Sequence, residues 1–195
     1  MGVQAQVSAL PAPTKSFTTG DTGEHGENLN SMVIVLMGVS GAGKTTVGKL
    51  LASKMGWEFA DGDDYHPAAN VEKMRNGIPL ADADRAPWLE ILRSKIVEWI
   101  AAGKSGVLAC SALKRAYRQR LQAGPEVRVV YLKGELPLLQ RRMRARRGHF
   151  MTEQMLESQL ATLEEPEDAV VVDVGWSPER IVREIQRRLS VTGNP

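Results

Sequence analysis

The sequence predicts an α/β domain with a central parallel sheet of about five strands and helices on both faces. Short apolar runs rich in β-branched residues recur along the chain, and segments with helical spacing separate them. Strands that alternate with helices are typical of parallel sheets, because each connection has to cross one face of the sheet. The predicted strands cover residues 32–37, 57–60, 107–110, 127–132 and 169–173.

Helical spacing occurs in five segments between and after these strands. In the first, Val47 and Leu51 fall on one face. Pro87 near the start of the second and Gly103 after its end follow the usual asymmetry of helix termini. Thr152 is suited to cap the fourth. The predicted helices cover residues 45–54, 87–102, 137–147, 152–163 and 178–189.

Length and composition exclude several classes of protein. A chain of 195 residues suits one domain, and a net charge of +2 gives no strong field for a nucleic acid. The single cysteine, Cys110, rules out a disulfide within the chain and fits a reducing compartment. No apolar run reaches the roughly 18–20 residues that a membrane span needs. We therefore expect a cytoplasmic protein without a nucleic-acid or membrane partner.

The first 31 residues differ from the rest in composition. They are rich in Ser, Thr, Gly, Pro and Ala, and they show no sustained periodicity. They lack both the apolar stretch of a secretory signal and the arginines of a transit peptide. We predict a disordered tail over residues 1–31, one folded domain over 32–190 and a short C-terminal tail over 191–195.

A glycine-rich segment, Gly-Val-Ser-Gly-Ala-Gly-Lys-Thr, covers residues 38–45 between the first strand and the first helix. It matches G-x-x-x-x-G-K-T in full, with glycines that let backbone N–H groups reach phosphate oxygens at a helix N-terminus. Lys44 is expected to contact the β- and γ-phosphates, and the Thr45 hydroxyl to ligate Mg²⁺. The segment predicts a three-layer P-loop NTPase fold that binds ATP. The expected nucleotide-binding residues here are Gly38, Ser40, Gly41, Ala42, Gly43, Lys44, Thr45 and Thr46.

A P-loop alone does not separate kinases from GTPases and motor ATPases. The guanine-reading N-K-x-D pattern is absent from the sequence, and no predicted strand ends in a strong Walker B aspartate with a neighbouring glutamate. The small size of the chain and a carboxylate cluster after the second strand favour a small-molecule kinase.

This cluster, Asp-Gly-Asp-Asp-Tyr-His-Pro, covers residues 61–67. The carboxyl ends of parallel strands share one edge of the sheet, so the cluster should lie near the P-loop. We assign Asp61 to the outer shell of the metal, and Asp63 to orienting and deprotonating an acceptor hydroxyl as general base. The alternative is a solvated acidic loop.

Taken together, the motifs closely resemble the small P-loop gluconokinase family. The matching segments are residues 38–45, 61–67, 70–74, 77–80, 82–88, 110–114 with 117–118, and 148–151. The resemblance extends over about residues 32–189 and implies transfer of the ATP γ-phosphate to the 6-hydroxyl of D-gluconate, in the pentose phosphate pathway. It also suggests a homodimer. Shikimate kinases share the P-loop and D-x-D, but we do not expect the D-x-D-R-x-P-W and C-S-A-L-K segments in them.

Four side chains are candidates for holding a polyhydroxy acid. Arg85 suits a carboxylate, which guanidinium groups bind bidentately, although a neighbouring aspartate is an alternative partner. His66 could donate to a substrate hydroxyl or be a structural histidine. Lys114 after the third strand could bind substrate oxygens or lie exposed at a helix start, and Ser111 is a weaker polar candidate beside it.

Five arginines lie within residues 141–147. They could form a solvated face, a nucleic-acid patch, or part of a helical lid over about residues 137–163 that acts on the γ-phosphate. Through the resemblance, Arg142 and Arg146 are assigned to ATP and catalysis, and His149 to the substrate side. Residues 175–178 are the expected backbone contact for adenine.

Three rival hypotheses remain at this point. The chain could phosphorylate shikimate or another sugar acid, it could be a regulatory nucleotide-binding module without turnover, or it could bind RNA through the arginine helix. Intact Lys44, Thr45, Asp61 and Asp63 argue against the regulatory module.

Overall fold

The computed structural model describes residues 31–145 and 153–192. Within them, five strands form one sheet in the order β2-β3-β1-β4-β5, and every neighbouring pair is parallel. The strands are β1 (Val33–Met37), β2 (Glu58–Asp61), β3 (Gly106–Ala109), β4 (Val127–Lys133) and β5 (Val170–Asp173). The predicted α/β class and the five strands are confirmed, with boundaries that differ by one residue at most ends.

The described residues form seven α-helices and a short 3-10 turn at Gly62–Tyr65. The helices are α1 (Lys44–Met55), α2 (Ala68–Arg75), α3 (Asp82–Ala101), α4 (Arg115–Leu121), α5 (Leu136–Ala145), α6 (Glu153–Thr162) and α7 (Pro178–Thr192). Neither α2 nor α4 was predicted from the sequence. The eight residues of α2 bury only Asn70, so they carry no apolar stripe, and α4 has seven residues, about two turns. No helix among the described residues is long and apolar enough to cross a membrane.

Helix α3 begins five residues earlier than predicted. Pro87 lies inside the helix, so its interpretation as a start signal was wrong. The N-terminus is instead fixed by Asp84, whose carboxylate accepts the Ala81 N–H at 2.9 Å while its own N–H donates to the Ala81 carbonyl at 3.1 Å. These bonds satisfy backbone groups that a helix start leaves unpaired.

Two apolar layers enclose the sheet, and β1 supplies side chains to both of them. Ile34 and Leu36 pack with the buried faces of α1 and α7, whereas Val33, Val35 and Met37 pack with α3 and α4. All five residues of β1 are completely buried, as expected for the central strand of a parallel sheet covered on both faces. This arrangement confirms the predicted three layers.

Several predictions on domain boundaries concern residues that the structure does not describe. The N-terminal tail falls outside the described residues except for Ser31, and so do Thr152 and residues 146–151 of the predicted lid. The rest of the lid segment consists of α5 and α6. The tail and the lid boundaries stay predictions.

Candidate active site

The loop between β1 and α1 has backbone angles that require its glycines. Gly38 has a φ of 150° and Gly43 a φ of 90°, both in the range that favours glycine. A Cβ atom at Gly38 would lie 2.8 Å from the Leu132 carbonyl oxygen, closer than real Cβ contacts allow. Gly43 stands directly before α1, so the loop leads into the N-terminus of that helix. This is the backbone geometry expected of a phosphate-binding loop.

The P-loop lysine lies along its own loop. Lys44 Nζ donates to the carbonyl oxygens of Gly38, at 2.9 Å, and Val39, at 3.2 Å. These contacts hold the ammonium group against the loop that would receive the phosphates. A positive charge in this position is suited to the oxygens between the β- and γ-phosphates.

The two residues predicted to serve a metal ion are in direct contact. Thr45 Oγ1 donates to Asp61 Oδ2 at 2.6 Å, which joins the first turn of α1 to the end of β2. The other oxygen of Asp61 accepts the Asp63 N–H at 3.2 Å and so caps the 3-10 turn. No cluster of three or more His, Cys, Asp or Glu side chains that could hold a metal occurs among the described residues. The oxygens of Thr45 and Asp61 fit Mg²⁺, which commonly takes few protein ligands and completes its shell with phosphates and water.

One cleft joins the P-loop to the residues predicted to bind the acceptor. Nine of the predicted site residues line it: Ser40, Gly41, Gly43, Lys44, Thr45, Asp63, His66, Arg85 and Ser111. They come from the P-loop, the 3-10 turn, α3 and the segment after β3, which meet at the carboxyl ends of the strands. Asp63 is exposed, and its side chain lines the same cleft as the P-loop residues. The cleft therefore places a carboxylate between a phosphate-binding loop and a polar pocket.

His66 is held in one orientation by two neighbours. Its ring stacks on Trp88 with 4.3 Å between ring centroids and 11° between planes, and Asn70 Nδ2 lies 3.4 Å from Nδ1. Burial lowers the pKa of His66, and the charge of Arg85 lowers it further while Asp63 opposes the shift. The ring is therefore neutral at pH 7. Because Asn70 donates to Nδ1, the proton sits on Nε2, which makes Nε2–H a hydrogen-bond donor.

The two aspartates that were alternative partners for Arg85 are paired with lysines. Asp82 lies 2.7 Å from Lys114 Nζ, and Asp84 lies 2.7 Å from Lys73 Nζ. These contacts lower the pKa of each carboxyl group, with the lysine hydrogen bond as the largest cause. Arg85 itself donates to the Leu80 carbonyl oxygen and makes no ion pair among the described residues. Its guanidinium therefore lines the cleft with charge available for an anion.

Lys114 occupies a different position from the other acceptor candidates. Its ammonium group contacts both oxygens of Asp82 at 2.7 Å, and the residue is not among those lining the cleft. The Tyr117 hydroxyl donates to the same carboxylate. The role of Lys114 as a substrate ligand stays a prediction.

Arg142 connects the P-loop to the segment after β5. Its guanidinium donates to the Val174 carbonyl oxygen at 2.7 Å and lies 3.5 Å from that of Gly41. A second pocket beside it is lined by Thr46, Trp176 and Pro178. This pocket lies where the sequence predicted the adenine contact. Arg146 and His149 lie outside the described residues, so their assignments stay predictions.

Several features of the cleft were not predicted. Trp88 is buried as expected, but it also stacks on His66, and its Nε1–H donates to the Gly62 carbonyl oxygen at 2.7 Å. Gln159 on α6 accepts the Ser40 N–H at 2.7 Å. A lone amide on a helix gives no sequence signal for such a role.

Cys110 is buried as expected, and burial raises the pKa of its thiol to about 12, which leaves it unreactive.

Comparisons with known proteins show which families and structures the chain is similar to. A family model described as an AAA domain matches residues 33–166. The chain is 48% identical over 174 residues to a probable gluconokinase of Xenopus tropicalis, a match that covers 80% of this chain and 92% of that protein. It is 40% identical to the solved gluconokinase of Sinorhizobium meliloti 1021, with a TM-score of 0.76 and coverage of 85% and 94%. Shikimate kinase of Aquifex aeolicus, at 17% identity, a TM-score of 0.54 and coverage of 83% and 98%, shows the fold alone.

Proposed function

The chain belongs to the gluconokinase family, and we propose that it transfers the γ-phosphoryl group of ATP to the 6-hydroxyl of D-gluconate. The products are 6-phospho-D-gluconate, an intermediate of the pentose phosphate pathway, and ADP. The observation that carries the proposal is the single cleft lined by Lys44 and Thr45 on one side and by Asp63, His66 and Arg85 on the other. A nucleotide on the P-loop would present its γ-phosphate to an acceptor bound among these side chains.

Asp63 is the group suited to act on the acceptor hydroxyl. As the oxygen at C6 forms a bond to the γ-phosphorus, the bond from that phosphorus to the β,γ-bridging oxygen breaks and ADP leaves. The hydroxyl proton passes to the Asp63 carboxylate. Phosphoryl transfer proceeds through a loose transition state, so Asp63 acts as much by orienting the hydroxyl as by removing its proton.

Lys44 acts on the donor side of the reaction. Negative charge builds up on the bridging oxygen as ADP departs, and the ammonium group beside Gly38 is suited to stabilise it. Thr45 and Asp61 would hold Mg²⁺, which when bound neutralises charge on the β- and γ-phosphates. The burial of Gly38 and Gly41 supports a fixed loop.

The acceptor side matches the chemistry of a sugar acid. Arg85 supports a contact with the carboxylate of gluconate, since Asp82 and Asp84 form their salt bridges with Lys114 and Lys73 instead. The Nε2–H of His66 supports a hydrogen bond to a substrate hydroxyl, and Ser111 offers another. Lys114 and His149 complete the proposed set of substrate ligands through the family resemblance.

The nucleotide side is proposed to follow the P-loop and the second pocket. Arg142 and Arg146 would contribute positive charge near the phosphates, and residues 175–178 would contact adenine. The position of Trp176 and Pro178 beside Thr46 supports this arrangement. We also propose a cytoplasmic homodimer, which the resemblance suggests, and light scattering on the purified protein would test its mass.

A coupled assay of ADP release tests the proposed reaction. We expect turnover with D-gluconate and little or none with shikimate, glycerate or glucose under the same conditions. Turnover with shikimate but not gluconate would refute the substrate assignment. Absence of turnover with all four would favour a nucleotide-binding module that lacks kinase activity.

A further inference from the structure

One backbone N–H of the P-loop is bound by a side chain from the lid segment. Ser40 N–H donates to Gln159 Oε1 at 2.7 Å, and the two residues are 119 positions apart in the chain. Both line the cleft, together with Lys44 and Asp63. Gln159 is half-buried on α6, so the contact brings α6 against the edge of the phosphate-binding loop.

The hydrogen bond fixes which end of the Gln159 amide faces the loop. A backbone N–H can only donate, so the atom that it contacts must be the oxygen. The NH₂ group of the same amide makes no hydrogen bond among the described residues, and the side chain lines the cleft. An oriented pair of N–H donors is thus available beside Ser40, in the cleft that Lys44 and Asp63 also line.

The fold does not need this hydrogen bond to hold α6. Leu156, one turn earlier, is completely buried in the core that also contains Leu139 and Val174. Beyond the helix, the Glu164 N–H donates to the Leu113 carbonyl oxygen at 3.0 Å, and the Glu164 carboxylate accepts the Arg115 N–H at 2.6 Å. Apolar burial and these two contacts anchor the segment independently of Gln159.

We propose that Gln159 is a γ-phosphate-binding residue, held by Ser40 N–H so that its NH₂ group donates to the γ-phosphoryl oxygens of ATP. Preorganised donors aimed at the oxygens of the transferring group lower the barrier, because they require no reorientation during the reaction. ADP has no γ-phosphate, so the contact distinguishes ATP from ADP. This inference rests on the proposed kinase function and adds to it a residue that binds the γ-phosphate.

Two substitutions separate the donor role from a structural one. Gln159→Glu keeps an oxygen that can accept from Ser40 N–H but removes the NH₂ donors. Gln159→Met removes the donors without adding negative charge. The exposed Gln119 on α4 provides the matched control, Gln119→Glu, with the same change of charge away from the cleft. Thermal unfolding of each variant checks that it is folded.

The measurements are affinity for ADP, affinity for a non-hydrolysable ATP analogue, and turnover of ATP with gluconate. For both Gln159 variants we expect the analogue to bind at least fivefold more weakly, ADP to bind within twofold of wild type, and kcat to fall on the order of 100-fold. Gln119→Glu should match wild type in all three.

Three results would overturn the proposal. One is analogue affinity within twofold of wild type in Gln159→Glu. Another is an equal loss of ADP and analogue affinity in that variant, which would indicate a structural role. The third is a loss confined to Gln159→Glu, with Gln159→Met behaving as wild type, which would indicate charge repulsion alone. Because the binding measurements use nucleotides only, they test Gln159 even if wild type fails to phosphorylate gluconate.

Discussion

The substitution Asp63→Asn removes the carboxylate of Asp63 but keeps the structural contact that the residue makes. The contact that Asp63 makes with Asp61 comes from its backbone N–H, so the substitution keeps it and the 3-10 turn stays capped. The side chain is exposed to the cleft, so an amide of the same shape leaves no buried group unpaired. Asp63→Asn should therefore change the unfolding midpoint by little, within the range usual for surface substitutions.

The effect on the reaction should be large. A positioned general base contributes about 10²–10⁴-fold to the rate, which corresponds to roughly 3–5 kcal/mol of barrier. We expect kcat with gluconate to fall by that factor, while the dissociation constant for ATP stays within about twofold because Lys44 and Thr45 are untouched. Steady-state turnover measures the first quantity and titration calorimetry measures the second.

Asp64→Asn is the matched control for this prediction. Asp64 is the next residue in the same turn and is also exposed, but it does not line the cleft. It should keep nearly full activity. If Asp63→Asn retained more than a third of wild-type turnover, or if Asp64→Asn lost as much, Asp63 would not be the base.

Three further predictions concern the acceptor side. Asn70→Ala removes the donor to both the Asp84 carbonyl oxygen and His66 Nδ1. Urea denaturation should therefore show a free energy of unfolding lower by about 1–3 kcal/mol, and gluconate assays should show a raised KM. Unchanged values of both would contradict the role of Asn70. Arg85→Lys should raise the KM for gluconate about tenfold without affecting ATP, since lysine cannot bind a carboxylate bidentately, and a matching change for ATP would argue against a substrate contact. The lowered pKa of His66 means that the unfolded chain binds a proton more readily than the folded one. Denaturant unfolding at a series of pH values should therefore show stability rising with pH from the folded pKa up to about 6.5. His66→Gln should lose this part of the pH dependence, and an unchanged pH profile in that variant would contradict the assignment to His66.

The features that could be predicted from the sequence are those encoded by neighbouring residues. The strand 33–37 is buried on both faces and therefore reads as a continuous apolar run, and the P-loop is specified by eight consecutive residues. Helix α2 was not predicted from the sequence, because its only buried side chain is the polar Asn70 and it has no apolar stripe. Pro87 does not mark the start of α3, because the Asp84 carboxylate, three residues earlier, caps the helix by accepting the Ala81 N–H.

Part of the candidate site could also be predicted from the sequence. Asp61 ends β2, Asp63 and His66 come directly after it, and the common edge of a parallel sheet brings all three to the P-loop. The pairing of Lys114 with Asp82 and of Lys73 with Asp84 depends on side chains 32 and 11 positions apart. The packing of α2, α3 and the segment after β3 determines which partner each of these charged side chains takes. A local sequence pattern therefore cannot predict these salt bridges.

The order of the strands also determines when the nucleotide site can exist during folding. β1 lies in the middle of the sheet, yet both of its partners come much later in the chain: Val33 pairs with Gly106 and with Val127. Contacts at such separations carry a high loop-closure cost, so the folding nucleus forms slowly. As the chain leaves the ribosome, β1 and the loop after it can pack against α1 but have no strand partner until β3 and β4 have emerged. ATP can therefore stabilise the nascent chain only at a late stage, and until then the apolar strand 33–37 has unpaired edges of the kind that favour aggregation.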